Sequence, residues 1–335
     1  MSIAAIASVS DTGRRRRRNE DAYVVQPPLF AVADGMGGAQ AGEIASRLAA
    51  EALRESPGDD SGEERVAALI REANRRVYDR SQEDSAVTGM GTTVTVALLE
   101  DGLVRIGHVG DSRAYLIRNG LLEQLTEDHS LVAELMRDGK LSPEEAETHP
   151  QRSVITRVLG TEPDVDVDTF SVEARPGDLF LLCSDGLTTM VGDESILRIV
   201  KRERGDLERA ARALVSAANG AGGEDNITVV FFAIAGDDDV DQTMRMPAPV
   251  GADAAPEDED TLSGIEAVPA VGTMVASPDE LDDALRADEY DPTADEAEEP
   301  EPKRAGSFLR RALVTLAVLV LLAAIAVAVY WGLAS

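Results

Sequence analysis

Carboxylates stand at the ends of four short apolar runs in this chain, and that placement restricts its fold more than any other feature. Leu29–Ala33 runs into Asp34-Gly35-Met36-Gly37-Gly38, Leu103–Val109 into Gly110-Asp111-Ser112, and Leu179–Cys183 into Ser184-Asp185-Gly186. Glu224-Asp225-Asn226 stands immediately before Ile227–Ile234. Taken singly, each is a turn, because Asp-Gly and Asn-Gly favour turn geometry. Four in one domain, with Asn19-Glu20-Asp21 at the end of the first segment, ask for more. Carboxylates that converge without a cation repel one another. Hard cations such as Mg²⁺ and Mn²⁺ take oxygen ligands, keep waters and accept close backbone carbonyls, which glycine permits sterically. A divalent metal site is therefore expected where the strand ends meet.

The runs themselves read as strands: Leu29–Ala33, Thr92–Leu99, Leu103–Val109, Ala114–Ile117, Leu179–Leu182 and Ile227–Ile234. Between the first two, Ala39–Leu53 is rich in Ala, Leu and Glu, and Val66, Leu69, Ile70, Ala73 and Val77 share one helical face. Asp206–Ala218 is a third helical pattern. Asn119-Gly120 between two such runs is a two-residue hairpin signal, since both positions tolerate positive φ. Hairpins require antiparallel pairing. The strands group as meanders with helices between groups, which gives an α+β fold of packed antiparallel sheets.

After residue 236 the chain changes character. Of the 62 acidic residues, 22 lie between Asp237 and Glu301, opposed only by Arg245 and Arg286. Residues 237–302 therefore read as a solvated, disordered linker, with too little apolar surface to offset ordering. Lys303, Arg304, Arg310 and Arg311 mark a basic segment over 303–311, and Ala312 to Leu333 carries no charge. That is long enough for a membrane span of roughly 20 apolar residues. Positive-inside asymmetry puts the basic flank, and with it residues 1–236, in the cytoplasm, leaving 334–335 as a short external tail. No cleaved signal peptide is expected, because the apolar stretch Ile3–Val9 is short and no basic region precedes it. Residues 1–236 hold 40 acids against 26 bases, which argues against nucleic-acid binding. The single cysteine, Cys183, excludes an intrachain disulfide.

Seven signatures in order make the chain resemble a metal-dependent protein phosphatase of the type 2C (PPM) family, most closely the bacterial serine/threonine members. They are Arg16-x-x-Asn19-Glu20-Asp21, Asp34-Gly35-Met36-Gly37-Gly38, Gly91-Thr92-Thr93, Val109-Gly110-Asp111-Ser112-Arg113, His149-Pro150-Gln151-Arg152, Ser184-Asp185-Gly186-Leu187 and Asp225-Asn226-Ile227-Thr228-Val229. The resemblance covers residues 1–236 and implies two antiparallel β-sheets packed as a sandwich, flanked by helices, with metals in a cleft at one end. It implies hydrolysis of phosphoserine and phosphothreonine on proteins by a water activated at a binuclear Mn²⁺ or Mg²⁺ centre.

By that resemblance Asp21, Asp34, Asp185 and Asp225 are metal ligands, Gly35 donates its backbone carbonyl, and Glu20 acts largely through water. Asp111, with Asp185, corresponds to ligands of a third metal near a mobile flap, and Leu131–Arg157 resembles that flap. Arg16 matches the phosphate-binding arginine, whose guanidinium fork suits a phosphate dianion. Arg16, Asp21 and Asp34 are thus the expected catalytic set. The other arginines of Arg14–Arg18 read as steering for phosphorylated substrates. Met36 stands where many eukaryotic members carry histidine, so it offers no proton to the leaving group. His108 and His129 lack zinc-like spacing and are expected to serve hydrogen bonding. Gly91-Thr92-Thr93 reads equally as a bend before core packing or as a catalytic contact. Cys183 is expected in the core, since no Cys-x5-Arg loop follows it. Expected partners are phosphorylated proteins, and a membrane serine/threonine kinase with its substrates as the natural opponent. The rival expectation is a catalytically silent scaffold that only binds phosphoproteins at the membrane.

Overall fold

Alternation along Leu29–Met36 (β3) sends Phe30 and Val32 into one apolar cluster and Ala31 and Ala33 into another. That division organises the molecule, described by a computed structural model over residues 1–37, 41–55, 60–142, 145–146, 149–235 and 274–275. The first cluster lies between two antiparallel sheets. One sheet runs β1 (Ile3–Asp11), β12 (Ile227–Ile234), β11 (Leu179–Cys183), β7 (Arg113–Arg118), β8 (Leu121–Gln124). The other runs β10 (Asp168–Glu173), β6 (Leu103–Val109), β5 (Val94–Glu100), β3, β2 (Asp21–Gln26), with β4 (Gly91–Thr92) paired to β3. Phe232 stacks on Phe30 at 4.4 Å and on Phe180 at 4.9 Å, so one ring from β12 joins the sheets.

Helices cover both outer faces. The small side chains of Ala31 and Ala33 admit the alanine face of α1 (Ala41–Glu55), where Ala41, Ala45, Ala49 and Ala52 are buried beside Val66, Ile70 and Val77 of α2 (Gly62–Glu83). On the other sheet, α5 (Asp193–Arg202) and α6 (Leu207–Ala221) bury Ile196, Val200, Leu214 and Ala218 against Leu181 and Phe231. Asp206 caps α6 by accepting from the Arg209 amide. Two shorter helices, α3 (Leu131–Arg137) and α4 (Asp185–Thr188), sit near the strand ends.

The α+β sandwich expected from the sequence is the fold observed. Asn119 (φ 53°) and Gly120 (φ 76°) turn β7 into β8, with Arg118 opposite Leu121. Strands β1, β2 and β10 were absent from the expected set. Each is an edge or near-edge strand whose faces are half exposed, which weakens the alternation that marks a strand.

The chain divides into two units, Met1–Asp282 and Asp283–Ser335, and every described residue lies in the first. The expected basic segment, membrane span and tail, 303–335, lie outside the described residues. So does the expected linker except Met274–Val275 (β13), which pairs in parallel with β9 (Val154–Ile155). That pairing departs from a wholly solvated linker, and it falls in the uncharged stretch Ala267–Pro278. Among the described residues no helix is long and apolar enough to cross a membrane.

Candidate metal and phosphate site

Asp21 opens β2 and lies opposite Asp34 in the β2–β3 register, so one sheet presents two acids side by side. The other sheet supplies Asp185, just after β11, and Asp225, just before β12. The halves are stitched through Asp21: its Oδ2 accepts from Ser184 Oγ at 2.8 Å and from Thr228 Oγ1 at 2.6 Å. Asp34 is held through its main chain. Its amide donates to Thr93 Oγ1, and its carbonyl accepts from the Thr93 amide and from Thr92 Oγ1. Gly91-Thr92-Thr93 thus braces the backbone of the Asp34 loop.

Gly35 sits where a side chain has no room. A Cβ there would lie 2.1 Å from the Gly42 carbonyl oxygen and 2.5 Å from that of Glu20, and a Cβ on Gly42 would press on Gly35 in return. The first turn of α1 therefore seats directly on the end of β3, and the Gly35 amide donates to the Glu20 carbonyl. Glycine is required here by close approach of backbone to backbone.

Arg16 reaches the same cluster from the loop before β2. Its Nη2 donates to Asp225 Oδ2 at 2.6 Å, and its Nη1 lies 4.0 Å from Glu20 Oε2. Asn226 holds that loop: its Nδ2 donates to the carbonyls of Thr12 and Arg18, and its Oδ1 accepts from the Glu20 amide. Asn226 is 2% exposed. Its place in the Asp225-Asn226 motif does not announce this role, since one amide clamping both ends of a loop is visible only in three dimensions.

The electrostatics show that the acids converge. Burial pushes the Asp21 carboxyl up to about 7, with the charges of Asp225 and Asp185 adding to it against hydrogen bonds from Thr228 and Ser184. Asp185 is pushed up to about 6 by burial and then by Asp225. Asp34 lies well above the usual carboxylate range through burial and then through Asp21, Asp185, Asp225 and Asp111. Asp111 is raised by burial and by Asp185, and Glu20 is raised chiefly by burial. A cation among them would remove this repulsion.

A divalent metal fits this donor set. Asp21 Oδ1, Asp111 Oδ1 and Asp185 Oδ1 are buried with no hydrogen-bond partner, a costly condition unless a ligand takes the lone pairs. All the donors are oxygens. Among the described residues no three acids form a ready-made cage for an ion. Arg16 Nε is likewise buried without an acceptor, a donor suited to an anion.

Comparison with known proteins agrees with this geometry. Residues 13–222 match the family model described as protein phosphatase 2C. The chain belongs to the protein phosphatase 2C family. It is 44% identical over 234 residues to the serine/threonine phosphatase stp of Listeria monocytogenes, covering 66% of this chain and 92% of that protein. It is 39% identical over 263 residues to the serine/threonine protein phosphatase PstP of Mycobacterium tuberculosis, covering 78% of this chain and 50% of that protein. The crystal structure of the M. tuberculosis serine/threonine phosphatase PstP/Ppp superposes with a TM-score of 0.66 at 38% identity, over 70% of this chain and all of that one. A PstP catalytic domain solved with two manganese ions superposes at 0.64, with 37% identity, over 70% of this chain and 99% of that one.

Within this phosphatase 2C domain the remaining sequence expectations find their places. Cys183 is fully buried in the core, its thiol pushed up to about 12 by burial. His108 and His129 make hydrogen bonds, to Glu127 and Thr95 and to Gly110 and Asp168. Met36 packs with Ile155 and Val158, so a side chain without a proton to give serves as an apolar contact between the Asp34 loop and the chain at β9. Arg113, last of its motif, is turned away onto Asp128 in a two-pronged pair and onto Tyr115. Arg14, Arg15, Arg17 and Arg18 are exposed around Arg16.

Proposed function

We propose that this chain is a serine/threonine protein phosphatase, hydrolysing phosphoserine and phosphothreonine on proteins with the help of bound divalent metal. One observation carries the reading: acids from both sheets meet with three buried, unpartnered carboxylate oxygens beside an arginine that has a spare buried donor. Asp21, Asp34, Asp185, Asp225 and the Gly35 carbonyl would hold two Mn²⁺ or Mg²⁺ ions, with Glu20 assisting through water, and Asp111 with Asp185 would hold a third. When bound, such metals lower the pKa of a water and neutralise phosphoryl charge.

The chain's own residues bind and orient. Arg16 exchanges its pair with Asp225 for the phosphate, and its planar fork fixes the dianion while the unpartnered Nε supplies a further donor. Ser184 and Thr228 keep one Asp21 oxygen occupied, which leaves the buried Oδ1 for a metal. Met36 supplies no proton to the departing serine or threonine oxygen, so that proton has another source, such as a water held at the metals. Purified protein with Mn²⁺ should release phosphate from a phosphothreonine peptide and stop when EDTA is added; turnover that persists after complete metal removal overturns the reading. The scaffold alternative gains no support, since each acid expected of an active enzyme is in place.

The uncharged stretch Ala312–Leu333 behind a basic flank supports a single membrane span with the catalytic domain on the cytoplasmic side. That location in turn favours membrane serine/threonine kinases and their substrates as opponents and clients. Full-length protein should sediment with membranes and a 1–236 fragment should not. Proteins whose serine/threonine phosphorylation rises on deletion of the gene would identify the clients.

A further inference from the structure

His129 stands between the Gly110-Asp111 loop and the end of the flap. On one side it grips the Gly110-Asp111 loop with both backbone and ring. Its amide donates to the Gly110 carbonyl at 2.8 Å, and the Gly110 amide donates back to His129 Nδ1 at 3.0 Å. On the other side it grips the end of the flap. Its carbonyl accepts from the Thr156 amide at 2.9 Å, and neighbouring Ser130 bridges to Ile155. Its Nε2 lies 3.1 Å from Asp168 Oδ2, while Arg157 Nη1 donates to Asp168 Oδ1 at 2.6 Å.

The ring's protonation follows from these partners. Nδ1 accepts from a backbone N–H and so carries no proton, which leaves the proton of the neutral ring on Nε2, donating to Asp168. The approach of Arg157 Nη1 to Nε2 at 3.2 Å is then a contact, and that arginine's hydrogen bond goes to Asp168. Burial holds the His129 ring toward the neutral form. Gly110 itself has little freedom. Its φ is 114°, and a Cβ there would fall 2.5 Å from Thr93, the residue that braces Asp34.

We propose that His129 is a positioning residue, the joint through which the end of the flap and the Asp111 loop are held in one fixed relation. The inference rests on the phosphatase reading for its consequence: a substrate that displaces the flap acts on the loop carrying Asp111, and metal at Asp111 acts on the flap. Asp168 and Arg157 stand apart from the groups proposed to bind metal and phosphate. They keep the ring in one tautomer and one orientation.

Two substitutions separate the ring's two hydrogen bonds, one to the Gly110 amide and one to Asp168, which holds Arg157 at the end of the flap. His129→Asn places an amide oxygen near the position of Nδ1, so it keeps an acceptor for Gly110 and loses Asp168. His129→Gln reaches Asp168 and loses the Gly110 acceptor. In the detergent-solubilised full-length protein, His129→Asn should raise KM for a phosphothreonine protein about fivefold, the effect of one net hydrogen bond, with p-nitrophenyl phosphate turnover unchanged. His129→Gln should instead weaken Mn²⁺ binding, read by calorimetry without substrate, in the Asp111-dependent phase that Asp111→Asn abolishes. His129→Ala should show both defects. Equal loss of every readout in all three variants, alongside a common fall in melting temperature, would make His129 a fold residue and overturn the proposal. Unchanged KM and Mn²⁺ binding in His129→Ala would overturn it as well. Failure of the parent protein to hydrolyse either substrate would count against the phosphatase reading, while the Mn²⁺ titrations would still judge the joint.

Discussion

Arg16 and Asp225, 209 residues apart in sequence, are joined at 2.6 Å, so the cation proposed for phosphate rests on a carboxylate proposed for metal. Each is the other's stand-in partner until ligands arrive. Arg16→Ala should lower kcat/KM on a phosphothreonine peptide by about 10-fold to 100-fold, the range of a hydrogen bond to a charged group. Arg16→Lys keeps the charge but loses the fork, and should recover only part of that loss. Steady-state kinetics at saturating Mn²⁺ test both.

Stability without metal should depend on pH in a direction opposite to that of a salt-bridged acid. Folding raises the Asp21 carboxyl from 3.8 to about 7 and Asp185 from 3.8 to about 6. Between about pH 4 and 7 the folded chain therefore holds protons that the unfolded chain has released, and stability falls as pH rises through that window. In EDTA the melting temperature should be higher near about pH 5 than near about pH 7.5, and Mn²⁺ should raise it most at the higher value, where it replaces missing protons. A melting temperature in EDTA that climbs across this range would contradict the assignment of these acids.

Gly35→Ala should damage fold and site together. Its Cβ would meet the Gly42 carbonyl oxygen at 2.1 Å, backbone that cannot rotate away. Relief requires α1 to lift from the end of β3, at a cost of about 1–3 kcal/mol, typical of overpacking. Denaturant midpoints and Mn²⁺ calorimetry on the variant should both shift. Gly177→Ala, at an open turn with positive φ, is a control for backbone strain alone, expected to move only the midpoint.

Asn226→Ala should free the Arg16 loop, since it removes two donors and one acceptor at once. Leaving the Thr12 and Arg18 carbonyls and the Glu20 amide without this partner costs about 1–3 kcal/mol for each group that stays buried. KM for the phosphopeptide should rise more than kcat falls, because that loop carries Arg16, the residue proposed to bind the phosphate. An unchanged KM with unchanged stability would show that the loop is held without Asn226.

The acids were legible before the structure because the chemistry that selects them leaves a one-dimensional trace: apolar run, carboxylate, glycine. Central strands such as β3 and β11 were legible for the same reason, being buried on both faces and apolar throughout. The edge strand Ile3–Asp11 was not, because alanine and serine on a half-exposed face resemble loop as much as strand. Neither were Asn226, Gly42 and His129 in their roles. Each acts through main-chain groups of distant segments, and main-chain partners leave no mark on residue type. The meaning of Met36 was also reachable only in part: its lack of a proton is plain from its chemistry, whereas its packing on Ile155 and Val158 is a fact of three dimensions.

The split origin of the carboxylates has a consequence for how such a chain can evolve. Asp21 and Asp34 ride on one sheet, Asp185 and Asp225 on the other, and Ser184 and Thr228 reach across to Asp21. Neither sheet alone owns a working centre, so the chemistry measures the docking of the whole sandwich. A core substitution that lets the sheets slip by a fraction of an ångström is exposed first as lost turnover, before any loss of folded protein. Catalysis thus works as a gauge on the interior, and selection for rate at the rim polices the packing of phenylalanines buried between the sheets.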